Sequence, residues 1–166
     1  DTLNGLGGND SLRPDAGNDT LRGGPGDDQF EAAQGDVQVF GEGGDDDIGI
    51  LESRASVVSG GTGYDRLRFA QSQALRVSLD GVANDGAAGV QLGNILADVE
   101  EVRGSPQSDV IVGGAGPNRL DGSGGDDVLA GAGGDDELLG GLGNDSLDGG
   151  DGDDSLDGGA GADSLK

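Results

Sequence analysis

The sequence predicts an all-β fold, a right-handed parallel β-roll in which short strands of successive coils stack into two facing parallel sheets. Three observations lead to this prediction: a nine-residue repeat, an apolar residue at one fixed position of the repeat, and glycine-rich turns between those positions. Of the 166 residues, 38 are glycine and only 32% are hydrophobic, so a thick core of bulky side chains cannot be built. A thin core made by stacking repeats is expected instead.

The repeat is most regular towards the C-terminus, where six copies follow one another without a gap from 113 to 166. A looser copy, GSPQSDVIV, begins at Gly104, and five copies occupy 5–49. A separate copy, GGTGYDRLR, begins at Gly60 one residue out of the N-terminal frame. An insertion is therefore expected within 50–59.

These boundaries divide the chain into N-terminal repeats (1–49), an irregular coil (50–103) that contains the copy 60–68, and C-terminal repeats (104–166). All three parts are expected to form one continuous solenoid, because a repeat of this size cannot bury its apolar face alone.

The eighth position of every copy is apolar, which predicts the core. The first six residues of a copy suit a turn with positive φ angles, and the last three alternate polar, apolar, polar, as in a very short strand. Two copies per coil would place these side chains between two sheets. The residues are Leu12, Leu21, Phe30, Val39, Ile48, Leu67, Ile111, Leu120, Leu129, Leu138, Leu147, Leu156 and Leu165.

Charge restricts the ligands that the chain can bind. Thirty-three acidic residues against nine basic ones give a formal net charge of −24, which disfavours nucleic acid and anionic membranes and favours cations. High charge with low hydrophobicity is also typical of a chain that is disordered without a ligand. No apolar stretch is long enough for membrane insertion.

The residue types exclude most site chemistries. Cysteine and histidine are absent, so only carboxylates and carbonyls remain as metal ligands, and these suit hard cations. Adjacent acids recur along the whole chain without a cleft to bury them, so no catalytic residues are predicted and the chain is not expected to be an enzyme.

The copies resemble the G-G-x-G-x-D-x-U-x nonapeptides of the repeats-in-toxin (RTX) family. The resemblance implies that calcium lies on an edge of the roll, between turns 18 residues apart, held by glycine carbonyls and the sixth-position aspartate. It further implies a secreted bacterial protein that acts outside the cell or at its surface, with roughly eight to twelve Ca²⁺ ions by counting edge pairs. The alternative is that the aspartates are solvated turn residues.

Carried onto this chain, the resemblance predicts two sets of metal ligands. In the C-terminal part, Asp109, Asp127, Asp145 and Asp163 would share one edge, and Asn118, Asp136 and Asp154 the other. Val37 and Asn118 depart from the pattern, so a missing or weak ion is expected at each. The side-chain ligands would be Asp10, Asp19 (with Asp1), Asp28, Asp46, Asp65, Asp109, Asn118, Asp127, Asp136, Asp145, Asp154 and Asp163. The carbonyl ligands would be Gly5, Gly7, Gly23, Gly41, Gly43, Gly122, Gly124, Gly131, Gly133, Gly140, Gly141, Gly149, Gly150 and Gly158.

Between Phe69 and Arg103 the repeat stops, and this segment predicts a wider coil that keeps the solenoid continuous. The sequence LRVSLD alternates like a strand. A sharper hypothesis is an additional calcium site. The expected core residues are Val77, Leu79, Ile95, Leu96, Val99 and Val102. The candidate ligands of the extra site are Asp80, Asp85, Asp98 and Glu100. We expect solvated or ion-paired side chains for the local arginines Arg54, Arg66, Arg68, Arg76 and Arg103.

Three functions fit these features. The first is a calcium-binding module that folds when it reaches extracellular calcium. The second is a structural adhesin, matrix or filament subunit whose solenoid self-associates end to end or edge to edge. The third is an appendage of a secreted hydrolase or toxin.

Overall fold

A computed structural model describes residues 1–32, 35–51, 54–70, 73–82, 85–87, 90–91 and 94–166. Over these residues the chain is a β-solenoid of stacked strands without a helix, parallel except for two antiparallel pairings within 75–91, which confirms the predicted fold class. Nothing in the described part is a helix long and apolar enough to cross a membrane. The strands are β1 (Thr2–Asn4), β2 (Ser11–Leu12), β3 (Asp19–Pro25), β4 (Gln29–Ala32), β5 (Asp36–Gly43), β6 (Asp47–Ile50), β7 (Arg54–Thr62), β8 (Arg66–Phe69), β9 (Leu75–Ser78), β10 (Gly86–Ala87), β11 (Val90–Gln91), β12 (Asn94–Ile95), β13 (Glu101–Arg103), β14 (Val110–Val112), β15 (Arg119–Asp121), β16 (Val128–Gly133), β17 (Glu137–Leu142), β18 (Ser146–Asp151), β19 (Ser155–Ala160) and β20 (Ser164–Leu165).

The strands form three sheets. The long sheet has eight strands in the order β2-β4-β6-β8-β13-β15-β17-β19 and runs the length of the molecule. The N-terminal sheet (β1-β3-β5-β7-β12) and the C-terminal sheet (β20-β18-β16-β14-β9-β10-β11) complete the coils on either side of the middle. In the regular parts, paired residues are 18 apart, as in Leu12 with Phe30 and Leu120 with Leu138. Two copies therefore make one coil.

The predicted wider coil lies between β8 and β13. It contributes β9, the first parallel strand of the C-terminal sheet, and β12, the last strand of the N-terminal sheet. One sheet thus ends and another begins while the long sheet continues, with Val102 paired to both Leu67 and Leu120. The long sheet therefore continues through the wider coil.

The core is the stacked row of eighth-position side chains. Eleven of the thirteen are buried, whereas Leu156 is partly buried and Leu165 is 48% exposed, because both lie in the last coil. In the wider coil, Val77, Leu79, Ile95, Val99 and Val102 are buried as expected. Leu96 is only partly buried, so the prediction was wrong to count it as a full core residue.

The strands are longer than the predicted three residues in the regular coils. Each of β16 to β19 has six residues, since the first three positions of a turn also pair with the next coil, as in Ala132 with Gly150. The chain bends at the fourth position, where glycine has a positive φ, 134° at Gly26 and 109° at Gly134. That conformation disfavours any residue with a Cβ.

Ion pairs cover the outer face of the long sheet. Arg68 donates to Asp47 through two hydrogen bonds of 2.6 and 3.0 Å, and Glu101 pairs with both Arg66 and Arg119. Arg103 lies 3.6 Å from Asp121. The three central arginines Arg66, Arg68 and Arg103 are therefore ion-paired, as expected, while the side chain of Arg54 lies outside the described residues.

Candidate metal centre

The turns lie on two edges of the solenoid. Turns that precede strands of the long sheet form the long edge, and turns that precede strands of the other two sheets form the split edge. The wider coil joins the two predicted groups of the long edge into one row. The long edge carries Asp10, Asp28, Asp46, Asp65, Glu100, Asn118, Asp136 and Asp154, and the split edge carries Asp1, Asp19 and Val37, then Asp109, Asp127, Asp145 and Asp163.

Sixth-position aspartates connect neighbouring turns by hydrogen bonds. The backbone N–H of Asp10 donates to Oδ1 of Asp28, and that of Asp28 donates to Oδ1 of Asp46, both at 2.8 Å. The same bond joins Asp127 to Asp145 at 2.8 Å. One carboxylate oxygen of each such aspartate is thus occupied by the turn before it.

The other carboxylate oxygen is left without a partner. Buried polar atoms in proteins are nearly always hydrogen-bonded, so a repeated exception indicates a ligand. Within the described residues, Oδ2 is buried and has no hydrogen-bond partner in Asp10, Asp19, Asp28, Asp46, Asp65, Asp127, Asp136 and Asp145.

Each of these oxygens, except that of Asp19, faces a small space that we call a glycine cage. Its walls are the first-position glycine of the turn, the Oδ2 atom of the same turn, and the first-position carbonyl of the next turn on that edge. A Cβ added to Gly131 would come within 3.0 Å of both Asp136 Oδ2 and the Gly149 carbonyl. Glycine is therefore required there because the oxygens converge on the position a side chain would occupy.

The first-position carbonyls that face such carboxylates are those of Gly23, Gly41, Gly60, Gly140, Gly149 and Gly158, with Asp98 in the wider coil. Two of the predicted carbonyls at other positions have other neighbours. That of Gly43, at the third position, accepts a 2.7 Å hydrogen bond from Gly26, and that of Gly141, at the second, faces Gly159.

Burial makes the negative charge in the cages costly. It raises the pKa of Asp46 and of Asp127 to about 7, with the neighbouring aspartates adding to the shift and a backbone hydrogen bond opposing it. Burial likewise raises the pKa of Asp65 to about 6 and the pKa values of Asp28 and Asp136. Carbonyl oxygens clustered with carboxyl groups whose ionisation is disfavoured by burial suit a hard divalent cation, and the donor set fits calcium.

Comparison with known protein families matches the RTX calcium-binding nonapeptide repeat in four copies, over 1–21, 22–49, 103–138 and 131–165. These copies cover about two thirds of the chain. The chain belongs to the RTX calcium-binding nonapeptide repeat family. RTX repeats bind Ca²⁺, and their β-roll is a calcium-binding structural module rather than a catalytic fold. No curated protein matches the chain.

Two turns of these RTX repeats have a different arrangement. Both carboxylate oxygens of Asp109 are occupied: Oδ1 accepts from Leu75 N–H and Ser105 Oγ, and Oδ2 accepts from Ser105 N–H at 2.6 Å. The Asn118 amide accepts from Gly114 at 2.7 Å and donates to the Val99 carbonyl at 3.2 Å. The side-chain oxygens of both residues are thus hydrogen-bonded within the protein.

The wider coil, which lies outside the matched RTX copies, closes one cage with a turn of another kind. The Asp98 carbonyl takes the place of a first-position glycine carbonyl beside Asp65 Oδ2, and the Glu100 carboxylate accepts the Asp65 N–H at 2.8 Å. Two of the four acids proposed for an extra site are therefore brought to Asp65.

The other two acids of that hypothesis lie apart from the RTX edges. Asp85 is buried and accepts from the N–H groups of Ser78 and Ile95 at 2.6 and 3.0 Å, and burial raises its pKa to about 6. Asp80 accepts the Val82 N–H at 2.8 Å in a local turn. The Asp85 carboxylate thus links two segments of the wider coil through their backbone N–H groups.

On the split edge, the N-terminal RTX turns have lost the glycine cage. Val37 is fully buried among the apolar side chains, in register with Asp19. Pro14 occupies the first position of the turn that ends at Asp19. The sequence prediction missed Asp15, whose carboxylate joins those of Asp1 and Asp19; an acidic residue at the second position of its copy was the available signal.

Proposed function

We propose that the chain is a module that folds when Ca²⁺ enters its glycine cages. The observation that supports this most directly is the buried Oδ2 atom without a partner, repeated in seven cages of the described chain and always beside a converging carbonyl. A calcium ion takes six to eight oxygen ligands in a flexible geometry, and two successive turns on an edge supply carboxylates and carbonyls for it.

The charge of the chain makes folding depend on the ion. Without cations, the net charge of −24 opposes compaction, and the thin core offers little apolar burial to offset it. Ionisation of the aspartates with raised pKa values lowers the stability of the folded protein. Calcium binding removes both penalties, so its binding energy becomes folding energy.

The proposed side-chain ligands are the aspartates of the seven cages: Asp10, Asp28, Asp46, Asp65, Asp127, Asp136 and Asp145, with Glu100 joining Asp65. Asp154 and Asp163 accept hydrogen bonds from Asp136 and Asp145, and the carbonyls of Gly149 and Gly158, in the same turns as Asp154 and Asp163, close those cages. Asp109 and Asn118 are not proposed as ligands, because hydrogen bonds already satisfy them.

Folding on calcium also suits a secreted protein. RTX repeats are typical of secreted bacterial proteins, and sites with affinities of about 10⁻⁴ to 10⁻³ M would stay empty in a calcium-poor cytoplasm and fill outside the cell. We therefore propose that the module is exported unfolded and orders in the extracellular medium.

The test is a calcium titration followed by far-UV circular dichroism, with magnesium as the comparison ion. We expect a cooperative coil-to-β transition with calcium alone, because magnesium demands a near-ideal octahedral geometry and dehydrates reluctantly. A variant with Asp127→Ala and Asp145→Ala should need more calcium. Complete β structure in chelator would refute folding on calcium.

A further inference from the structure

The split edge places three carboxylates together at its N-terminal end. One oxygen each of Asp1, Asp15 and Asp19 lies within 4.8 Å of the other two. Ligand oxygens lie about 2.3 to 2.6 Å from a calcium ion, so two oxygens on opposite sides of one ion are about 5 Å apart. The three oxygens are thus close enough to share one ion.

A second observation points to a ligand at the same place. Asp19 is only 3% exposed, and its Oδ1 accepts a 2.7 Å hydrogen bond from the nitrogen of Asp1. Its Oδ2 is buried and has no hydrogen-bond partner among the described residues. The turn therefore holds a buried anionic oxygen that its own protein contacts do not satisfy.

A glycine cage cannot serve that oxygen. In the cages, an added Cβ at the first position would collide with the carboxylate, and Pro14 carries a Cβ at that position. The next turn of the edge has Ala32 at its first position and the buried Val37 in place of an aspartate. What this turn offers instead is Asp15, at a position where most other copies have glycine or a neutral residue.

We propose that Asp1, Asp15 and Asp19 form a separate divalent-cation site made of three carboxylates. Asp1 and Asp15 are exposed, so water completes the coordination sphere, as is common where few protein ligands are available. The site goes beyond the proposed cages, because it needs neither their first-position glycine nor a carbonyl from the next turn.

The experiment counts bound Ca²⁺ by native mass spectrometry at a calcium concentration where the circular dichroism transition is complete. Asp15→Asn is compared with Asp36→Asn, which removes one exposed charge from the next turn of the same edge. We expect Asp15→Asn to bind one ion fewer than the parent, with an unchanged dichroism spectrum, and Asp36→Asn to bind as many as the parent.

An equal count in Asp15→Asn and the parent, or an equal loss in both variants, would overturn the three-carboxylate site. The cages are counted separately by Asp127→Ala with Asp145→Ala. Loss of ions in that variant but not in Asp15→Asn would leave the cages standing and reject only the new site.

Discussion

Filling one glycine cage with a methyl group is the most direct perturbation of the proposed calcium sites. In Gly131→Ala, the new Cβ would fall within 3.0 Å of Asp136 Oδ2 and of the Gly149 carbonyl. The oxygens would have to move apart, and the ion would lose its place. Gly133→Ala, in the same turn as Gly131, is the matched control. Its Cβ would meet only atoms of Ala115, at 3.9 Å.

The magnitude follows from linkage between binding and folding. An ion present at about one hundred times its Kd stabilises the folded state by about 2.7 kcal/mol. Gly131→Ala should therefore lose about 2.7 kcal/mol of calcium-dependent stability at that concentration. Gly133→Ala should keep it, with a small gain of about 0.4 to 1 kcal/mol from the less flexible unfolded chain.

The assay is urea unfolding followed by circular dichroism at several calcium concentrations. The free energy of unfolding should rise less steeply with the logarithm of calcium concentration in Gly131→Ala than in Gly133→Ala, by the contribution of one ion. Parallel lines for the two variants would refute the cage, even if Gly131→Ala were less stable throughout.

Three further predictions concern other parts of the edges. Asp109→Ala should lower stability by about 1 to 3 kcal/mol by leaving buried donors unpaired, without changing the ion count in equilibrium dialysis; a lost ion would contradict the hydrogen-bonded role. The pKa values of Asp46 and Asp127 are about 7 against 3.8 for an ordinary aspartate, so their contribution to the stability of the metal-free fold is present below about pH 4 and is lost as the pH rises through 7. Protons and calcium then both favour the folded state, so the midpoint of the dichroism titration should move to lower calcium concentration between about pH 8 and pH 6, and a midpoint that rises would count against these shifts. Ala132 has a φ of 77°, so Ala132→Gly should raise the free energy of unfolding by about 0.5 to 1 kcal/mol. Ala130→Gly, in the extended part of β16, should lower it, and urea unfolding measures both changes.

The nine-residue period was enough to predict the core, the two-copy coil and the edges. A period of 18 residues per coil places every sixth-position side chain beside its counterpart, so Asp28 next to Asp46 follows from counting alone. The length of the strands did not follow, because glycine-rich positions such as Gly141 and Gly159 give no strand signal although their backbones pair.

The two exceptions on the edges depended on neighbours that the period does not describe. Asp109 is satisfied by Ser105 and Leu75, and Asn118 donates to Val99, which belongs to the irregular coil. Because the segment before Glu100 has no nine-residue period, counting could not show that Glu100 lies next to Asp65 on the long edge. The repeat shows which residues lie on an edge. Whether a side-chain oxygen there can bind an ion depends on whether neighbouring groups already donate hydrogen bonds to it.

Asn118 separates the cages of the long edge into a run of four, from Asp10 to Asp65, and a single cage at Asp136. Before Asn118, the backbone N–H of each aspartate from Asp10 to Asp65 donates to the carboxylate of the next turn, and the last acceptor is Glu100. At Asn118 the side chain is a neutral amide that donates to the Val99 carbonyl. If ions in a linear array influence chiefly their nearest neighbours, the four cages up to Asp65 should fill together, and the cage at Asp136 should fill as a separate step.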